Sequence, residues 1–110
     1  MGIQSRDVGA TGIKLYVTDE GKEIARAYLY FLSNDLHTRP FGLMEDVFVD
    51  SSQRGSGIGT RLTQRVIQEA RDRGCYKLIC TSRHEKPEVH RLYLRLGFKD
   101  HGKEFRIDFS

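Results

Sequence analysis

One stretch decides the fold that this sequence predicts: Met44-Glu45-Asp46-Val47-Phe48-Val49-Asp50-Ser51-Ser52-Gln53-Arg54-Gly55-Ser56-Gly57-Ile58-Gly59-Thr60. Side chains alternate over Leu43–Val49, which predicts a strand with Glu45 and Val49 on the same face. After a turn with three glycines, apolar residues recur every fourth position and predict a helix from about Ser56 to Arg73. A strand, a glycine-rich turn and a helix N-terminus form an anion site, because the first helix amides lack internal partners and the helix dipole is positive there.

Other glycine-loop motifs fit this turn less well. A nucleotide-binding P-loop requires a lysine before Ser or Thr, whereas Gly59 is followed by Thr60 and Arg61. A dinucleotide-binding fingerprint has G-x-G-x-x-G spacing, and no parallel βαβ repeat precedes these glycines. The remaining alternative is a flexible loop that binds nothing, and Arg54 beside three regularly spaced glycines disfavours it.

The motif Arg54-x-x-Gly57-x-Gly59 resembles the Q/R-x-x-G-x-G/A motif of the GNAT family of N-acetyltransferases. The strand before it and the later run Leu92–Phe98 also look like family signatures, in the expected order. The resemblance implies an α/β fold with a mixed, mostly antiparallel sheet, whose central parallel strand pair splays to hold coenzyme A. It also implies a metal-independent transfer of the acetyl group of acetyl-CoA to a primary amine, on a small molecule or an exposed peptide.

The resemblance assigns roles to residues of this chain. Glu45 is the candidate base for the attacking amine, and Tyr93 is the candidate acid that protonates the leaving thiolate. The strand backbone is expected to pair with the pantetheine arm of acetyl-CoA, with one amide near Val47 contacting the thioester carbonyl. Asp46 alternates to the other face and is a weaker candidate base. The expected cofactor-binding residues are Val47, Phe48, Val49, Arg54, Gly55, Ser56, Gly57, Ile58, Gly59, Thr60 and Lys86.

Each of these roles has a structural alternative. Glu45 could instead pair with Arg26 or Arg39 of a neighbouring segment. Tyr93 lies on the apolar stripe of a predicted helix and could be a core aromatic, although a buried ring can still present its hydroxyl to a cleft. Lys86 stands where the family often has a pantetheine-binding asparagine, so it either contacts cofactor phosphates or is simply exposed to solvent.

The rest of the chain shows strand and helix patterns on both sides of the opening stretch. These patterns predict strands at Ile13–Val17, Ile24–Leu32, Tyr76–Thr81, Phe98–Lys99 and Phe105–Phe109, and a helix that starts at Pro87 and is ended by Gly97. A single domain over residues 1–110 is expected. No helical pattern precedes residue 50, although the family usually opens with a strand and two helices that wall off the acceptor site. The acceptor side is therefore expected to be open, or closed by a second subunit of a homodimer.

Composition disfavours several functional classes. Net charge is +3 and basic residues are interleaved with acidic ones, which suits a polyanionic cofactor better than nucleic acid. No apolar run is long enough to span a membrane, and the N-terminus lacks a signal-peptide core. Cys75 and Cys80 are expected to be reduced core thiols, which favours the cytoplasm, and the histidines lack metal-ligand spacing. A non-catalytic acyl-CoA-binding module remains the alternative function.

Overall fold

The fold is described from a computed structural model that covers all 110 residues. The chain divides into two compact units, Met1–Cys80 and Thr81–Ser110. The first unit contains β1 (Ala10–Asp19), β2 (Lys22–Leu32), β3 (Phe41–Val49), a short 3₁₀ turn (Ser51–Gln53), α1 (Ile58–Asp72) and β4 (Leu78–Cys80). The second unit contains α2 (Pro87–Arg95). Neither helix combines the length and the apolar composition that crossing a membrane would need.

The four strands form one mixed sheet in the order β1-β2-β3-β4. β1 and β2 are an antiparallel hairpin, and β2 and β3 are also antiparallel. β3 and β4 are parallel, and their ladder consists of three pairs, Gly42–Met44 against Leu78–Cys80. The predicted α/β fold, with a mostly antiparallel sheet and one parallel pair, is confirmed.

The core lies between α1 and one face of the sheet. The α1 stripe predicted from the fourfold spacing is buried at Leu62, Val66 and Ala70. It packs on β2 and β3, where alternate residues of β2 are inaccessible to solvent, Ala25, Ala27 and Leu29. Each large apolar side chain buried in this way stabilises the fold by about 1.5–3 kcal/mol. The long helix is therefore fixed to the sheet by the same side chains that the sequence period identifies.

The end of the chain departs from the sequence prediction. The strands expected at Phe98–Lys99 and Phe105–Phe109 are wrong, because residues 98–110 contain no strand. The apolar members of the alternating run are instead 89%, 78% and 96% exposed, at Phe105, Ile107 and Phe109 respectively. A period-two pattern describes a strand that has a neighbour to accept its backbone hydrogen bonds, and the pattern itself does not provide that neighbour.

Candidate functional site

A β-bulge interrupts β3 just after Glu45. At this point Asp46 and Val47 together oppose the single residue Ala27 of β2. Asp46 has a φ of 52°, in the left-handed region, which costs a non-glycine residue of the order of 1–3 kcal/mol. The extra residue shifts the alternation of side chains by one position for the remainder of the strand.

The bulge overturns the arrangement of faces that alternation predicts. Glu45 lies opposite Tyr28 and Phe48 lies opposite Arg26, and Tyr28 and Arg26 share a face of β2. Glu45 therefore shares its face with Phe48. Val49 lies opposite a fully buried alanine of β2 and points to the α1 side of the sheet. The prediction that Glu45 and Val49 share a face is wrong, because it assumes an uninterrupted strand.

An open depression of about 420 Å³ lies beside the bulge, on the face of the sheet opposite α1. Its lining includes both signs of charge and one tyrosine, namely Lys14, Glu23, Arg26, Tyr28 and Asp46. The sequence analysis put Asp46 on the face away from Glu45, whereas the bulge brings it into the depression beside Tyr28, the cross-strand partner of Glu45. Aspartate tolerates the left-handed region better than most residues, and this is the only sign of the bulge in the sequence.

β3 continues past the end of its parallel partner. β4 pairs with Gly42–Met44 only, so Glu45–Val49 has no neighbouring strand on that edge. Val47 and Phe48 are 37% and 38% exposed. Backbone N–H and C=O groups on such an edge can pair with an extended ligand arm, which adds to the sheet as a strand would.

The glycine turn between β3 and α1 presents unpaired amides. Gly55 and Gly57 have φ values of 87° and 86°, which favour glycine, and a Cβ on either would meet no atom within 4 Å. The first hydrogen bond of α1 joins the amide of Arg61 to the carbonyl of Gly57 at 3.1 Å. The amides of residues 58–60 therefore have no partner in the protein, and no side chain caps the helix. This end of α1 can cradle an anion.

The predicted loop residues fall into two groups by exposure. The first group is exposed, and consists of Arg54, Gly55, Ser56 and Gly57; the second is half-buried, and consists of Ile58, Gly59 and Thr60. The second group is held against β3, since a Cβ on Gly59 would lie 3.6 Å from Val49 Cγ2. The hydroxyl of buried Thr63 also donates to the Gly59 carbonyl at 2.8 Å. The helix start is thus fixed while the glycine turn before it stays accessible.

A short 3₁₀ turn that the sequence analysis missed leads from β3 into the glycine turn. Asp50 caps it, because its Oδ1 accepts a hydrogen bond from the Ser52 amide at 3.2 Å. Lys22 Nζ lies 3.0 Å from Oδ2 of the same carboxylate. The pKa of Asp50 lies below its ordinary value, mainly because of the lysine and to a smaller extent because of the hydrogen bond from the Ser52 amide. The run Asp50-Ser51-Ser52 is the sequence signal for such a cap.

Glu45 and Cys80 lie close together where β3 and β4 part. The pKa of the Cys80 thiol is raised to about 11, mainly by burial and to a smaller extent by the nearby Glu45 carboxylate. Both cysteines are free and half-buried, so they lie at the margin of the core that was expected to enclose them. Arg26, one of the expected partners of Glu45, pairs with Glu23 at 3.5 Å, and no ion pair involves Glu45. The structural alternative for Glu45 therefore has no support in the described contacts.

The remaining two predicted site residues, Lys86 and Tyr93, belong to the second unit. Lys86 is exposed and is the N-cap residue of α2, without a side-chain cap hydrogen bond. Tyr93 is half-buried, and its ring centroid lies 5.3 Å from that of Phe98. The Phe98 amide donates to the Tyr93 carbonyl at 3.0 Å, which closes the C-terminal turn of α2. The roles of Lys86 and Tyr93 toward a cofactor stay predictions.

The chain is similar in sequence to known glucosamine 6-phosphate N-acetyltransferases. It is 40% identical over 70 residues to glucosamine 6-phosphate N-acetyltransferase 1 of Oryza sativa subsp. japonica, a match that covers 62% of this chain and 39% of that protein. It is 39% identical over 70 residues to the glucosamine 6-phosphate N-acetyltransferase of Trypanosoma brucei brucei, covering 64% and 46% respectively. The chain thus spans less than half the length of these relatives.

The fold is similar to that of a solved acetyltransferase. The crystal structure of a Trypanosoma brucei acetyltransferase superposes with a TM-score of 0.81 at 30% identity, covering 89% of this chain and 69% of that chain. The model of the acetyltransferase (GNAT) family matches residues 6–98, a range that includes β3, the glycine turn and α2. This chain therefore belongs to the acetyltransferase (GNAT) family.

Proposed function

We propose that this protein transfers the acetyl group of acetyl-CoA to a primary amine. The observation that carries the proposal is the free edge of β3 at Glu45–Val49, which leads into a helix start with three unpaired amides. The edge suits a pantetheine arm, which can pair as an added strand. The helix start suits a pyrophosphate, because its amides and its dipole attract negative charge. Membership of the family supports the same cofactor.

Acetyl transfer requires three residues or groups of the chain to act on the amine, the carbonyl and the thiolate. An amine is mostly protonated at neutral pH, and Glu45 accepts its proton, directly or through water, so that the nitrogen can attack the thioester carbonyl. An amide near Val47 stabilises the oxyanion that forms on that carbonyl. As the carbon–sulfur bond breaks, Tyr93 donates a proton to the thiolate, and the second proton that the attacking nitrogen loses restores the Tyr93 phenol. The products are an acetamide and free coenzyme A.

Glucosamine 6-phosphate is the first acceptor to test. Two relatives that are named for this substrate are 39–40% identical to the chain over 70 residues. The shared 70 residues, which amount to less than half of each relative, are what supports this acceptor. An exposed peptide amine is the second candidate, since the depression beside β3 is open to solvent.

We also infer that the two units act together as one domain over residues 1–110. The family model spans residues 6–98 and so includes most of both units. A cytoplasmic location fits the two free thiols.

A thiol-release assay tests the proposed function directly. Purified protein is incubated with acetyl-CoA and glucosamine 6-phosphate, and free coenzyme A is measured with a thiol reagent. Glucose 6-phosphate, which lacks the amine, serves as the matched control, and a peptide with a free amino terminus forms a third arm. Release that requires an amine supports the proposal. Acetyl-CoA binding by calorimetry, without release in any arm or with a wider panel of amines, would favour the non-catalytic binding module.

A further inference from the structure

A row of three side chains crosses the sheet on the face opposite α1. Lys14 of β1 lies opposite Tyr28 of β2, and Tyr28 lies opposite Glu45 of β3. Neighbouring strands are about 4.8 Å apart, so the Cα atoms of Lys14 and Glu45 are separated by roughly 10 Å. The candidate base therefore stands at one end of a row whose other end is a cation.

The end of the depression formed by β1 and β2 carries an excess of positive charge. The Glu23 carboxylate accepts hydrogen bonds from Lys14 and, at 3.5 Å, from Arg26. The hydrogen bond between Lys14 and Glu23 raises the pKa of the lysine and lowers the pKa of the glutamate, so both are charged at neutral pH. Two cations thus share one carboxylate, and one positive charge is left uncompensated.

Aromatic rings hold these two cations in place. Lys14 Nζ lies 5.1 Å from the centroid of the Tyr16 ring and 5.9 Å from that of the Tyr28 ring. The Arg26 guanidinium lies 4.8 Å from the centroid of the Phe48 ring. Contact with a ring restrains a long side chain and leaves its charge in place. The cations therefore remain able to bind an anionic ligand.

The end of the depression formed by β3 is acidic. The bulge brings Asp46 into the lining, and Asp46 directly follows Glu45 in the chain. Neither carboxylate forms an ion pair with a side chain of the protein. A carboxylate without a cation is free to receive an ammonium group. The depression thus presents opposite charges at its two ends.

This separation of charge suits one class of acceptor. An amino sugar phosphate carries its ammonium and its phosphate at opposite ends of the sugar, so it can reach both ends of the row. An amino acid carries the two charges on the same carbon and cannot span them, and an unphosphorylated amino sugar has no anionic group. The Tyr28 hydroxyl lies between the two ends and can exchange a hydrogen bond with a sugar hydroxyl.

We propose that Lys14, assisted by Arg26, binds the anionic group of the acceptor while its amine lies at Glu45 and Asp46. Lys14 is then a residue that determines specificity, because it distinguishes a phosphorylated amino sugar from a neutral one. The inference rests on the proposed acetyl transfer, since it assigns the acceptor to this depression. The tests below separate a failure of the anion site from a failure of the proposed activity.

Kinetics give the first test, as the ratio of kcat/KM for glucosamine 6-phosphate to kcat/KM for glucosamine. Lys14→Gln should lower this ratio at least about tenfold, because a hydrogen bond to a charged group is lost. Glu23→Gln releases both cations and should raise the ratio about threefold. Arg65→Gln removes the same charge from the exposed side of α1, on the other face of the sheet, and should leave the ratio unchanged. A ratio that Lys14→Gln does not change, or that Arg65→Gln lowers equally, overturns the proposal.

Binding gives a second test that needs no turnover. Glucose 6-phosphate, which lacks the amine, is titrated into the protein and followed by NMR, with coenzyme A present to fill the glycine turn. The amides of Lys14 and Tyr28 should shift, and the dissociation constant should be at least about tenfold higher in Lys14→Gln. Shifts that are absent, or confined to the amides of residues 58–60, overturn the anion site. Binding that depends on Lys14, without release of coenzyme A with any amine, would instead refute the proposed activity and leave the anion site standing.

Discussion

The substitution Gly57→Glu tests the glycine turn as a phosphate site. Gly57 has a φ of 86°, and a Cβ there would contact no atom within 4 Å. The cost to the fold is thus backbone strain without a clash, about 1–2 kcal/mol for a left-handed L-residue. For a domain of this size we expect the melting temperature to fall by about 4–16 °C, and the protein to remain folded at 25 °C.

The effect on acetyl-CoA binding should be larger than this strain. A carboxylate at about 5 Å from a bound phosphate repels each unit of negative charge by about 3 kcal/mol at an effective dielectric constant of 20. The dissociation constant should therefore rise at least about 100-fold. Gly57→Ala adds similar strain without the charge, and its dissociation constant should change by only a few-fold.

Isothermal titration calorimetry with acetyl-CoA measures the effect, and Gly74→Glu is the matched control. Gly74 also has a positive φ, 77°, and an equally open surrounding. It follows the other end of α1, about 22 Å away along a helix of 15 residues. Gly74→Glu should therefore lose a similar amount of stability and keep its affinity. Equal affinities of folded Gly57→Glu and Gly74→Glu would refute the phosphate-loop assignment.

Three further predictions concern the candidate catalytic residues and a thiol. Glu45→Gln should leave acetyl-CoA affinity intact and lower kcat at least about 100-fold at neutral pH. At high pH the amine loses its proton without a base, so part of the lost kcat should return. An unchanged rate per folded molecule would show that Glu45 has a structural role only. Tyr93→Phe should lower kcat by roughly 10- to 1,000-fold at an unchanged cofactor dissociation constant, and full turnover would make Tyr93 a core aromatic only. Because the fold raises the pKa of Cys80 from 9.0 to about 11, the contribution of this thiol to the free energy of unfolding, followed by urea titration, should be constant below pH 9 and fall between pH 9 and 11. Cys80→Ala should flatten this decline, and a variant with the same decline as the wild type would contradict the assignment.

Local periodicity predicted the parts of the fold that depend on one face being buried. The alternating residues of Ile24–Leu32 and the fourfold spacing of α1 each had a single arrangement that hides their apolar side chains, so the hairpin and the helix are found where expected. The glycine turn was equally predictable, because Gly55 and Gly57 supply the positive φ values that the turn requires.

Features that depend on a neighbour or on one unusual residue were not predictable in this way. The bulge places an aspartate, Asp46, at a positive φ, and apart from the tolerance of aspartate for that conformation nothing in the alternating sequence marks the extra residue. The segment Phe105–Phe109 has the pattern of a strand and forms none, because the pattern does not provide a neighbouring strand. At the candidate site, the sequence consequently predicted the glycine turn, proposed Glu45 as a candidate base, and missed the depression lined by Asp46.

The bulge has a consequence for insertions and deletions in this gene segment. Because Asp46 and Val47 share one position of the ladder, a chain that lacked Asp46 would form a regular strand in which Phe48 and Val49 keep their present partners in β2. Val49 would also keep its place beside Gly59 at the helix start. An additional residue after the bulge would instead turn every later side chain over and drive Phe48 under α1. At this point in the chain, the strand therefore tolerates the loss of a residue better than the gain of one.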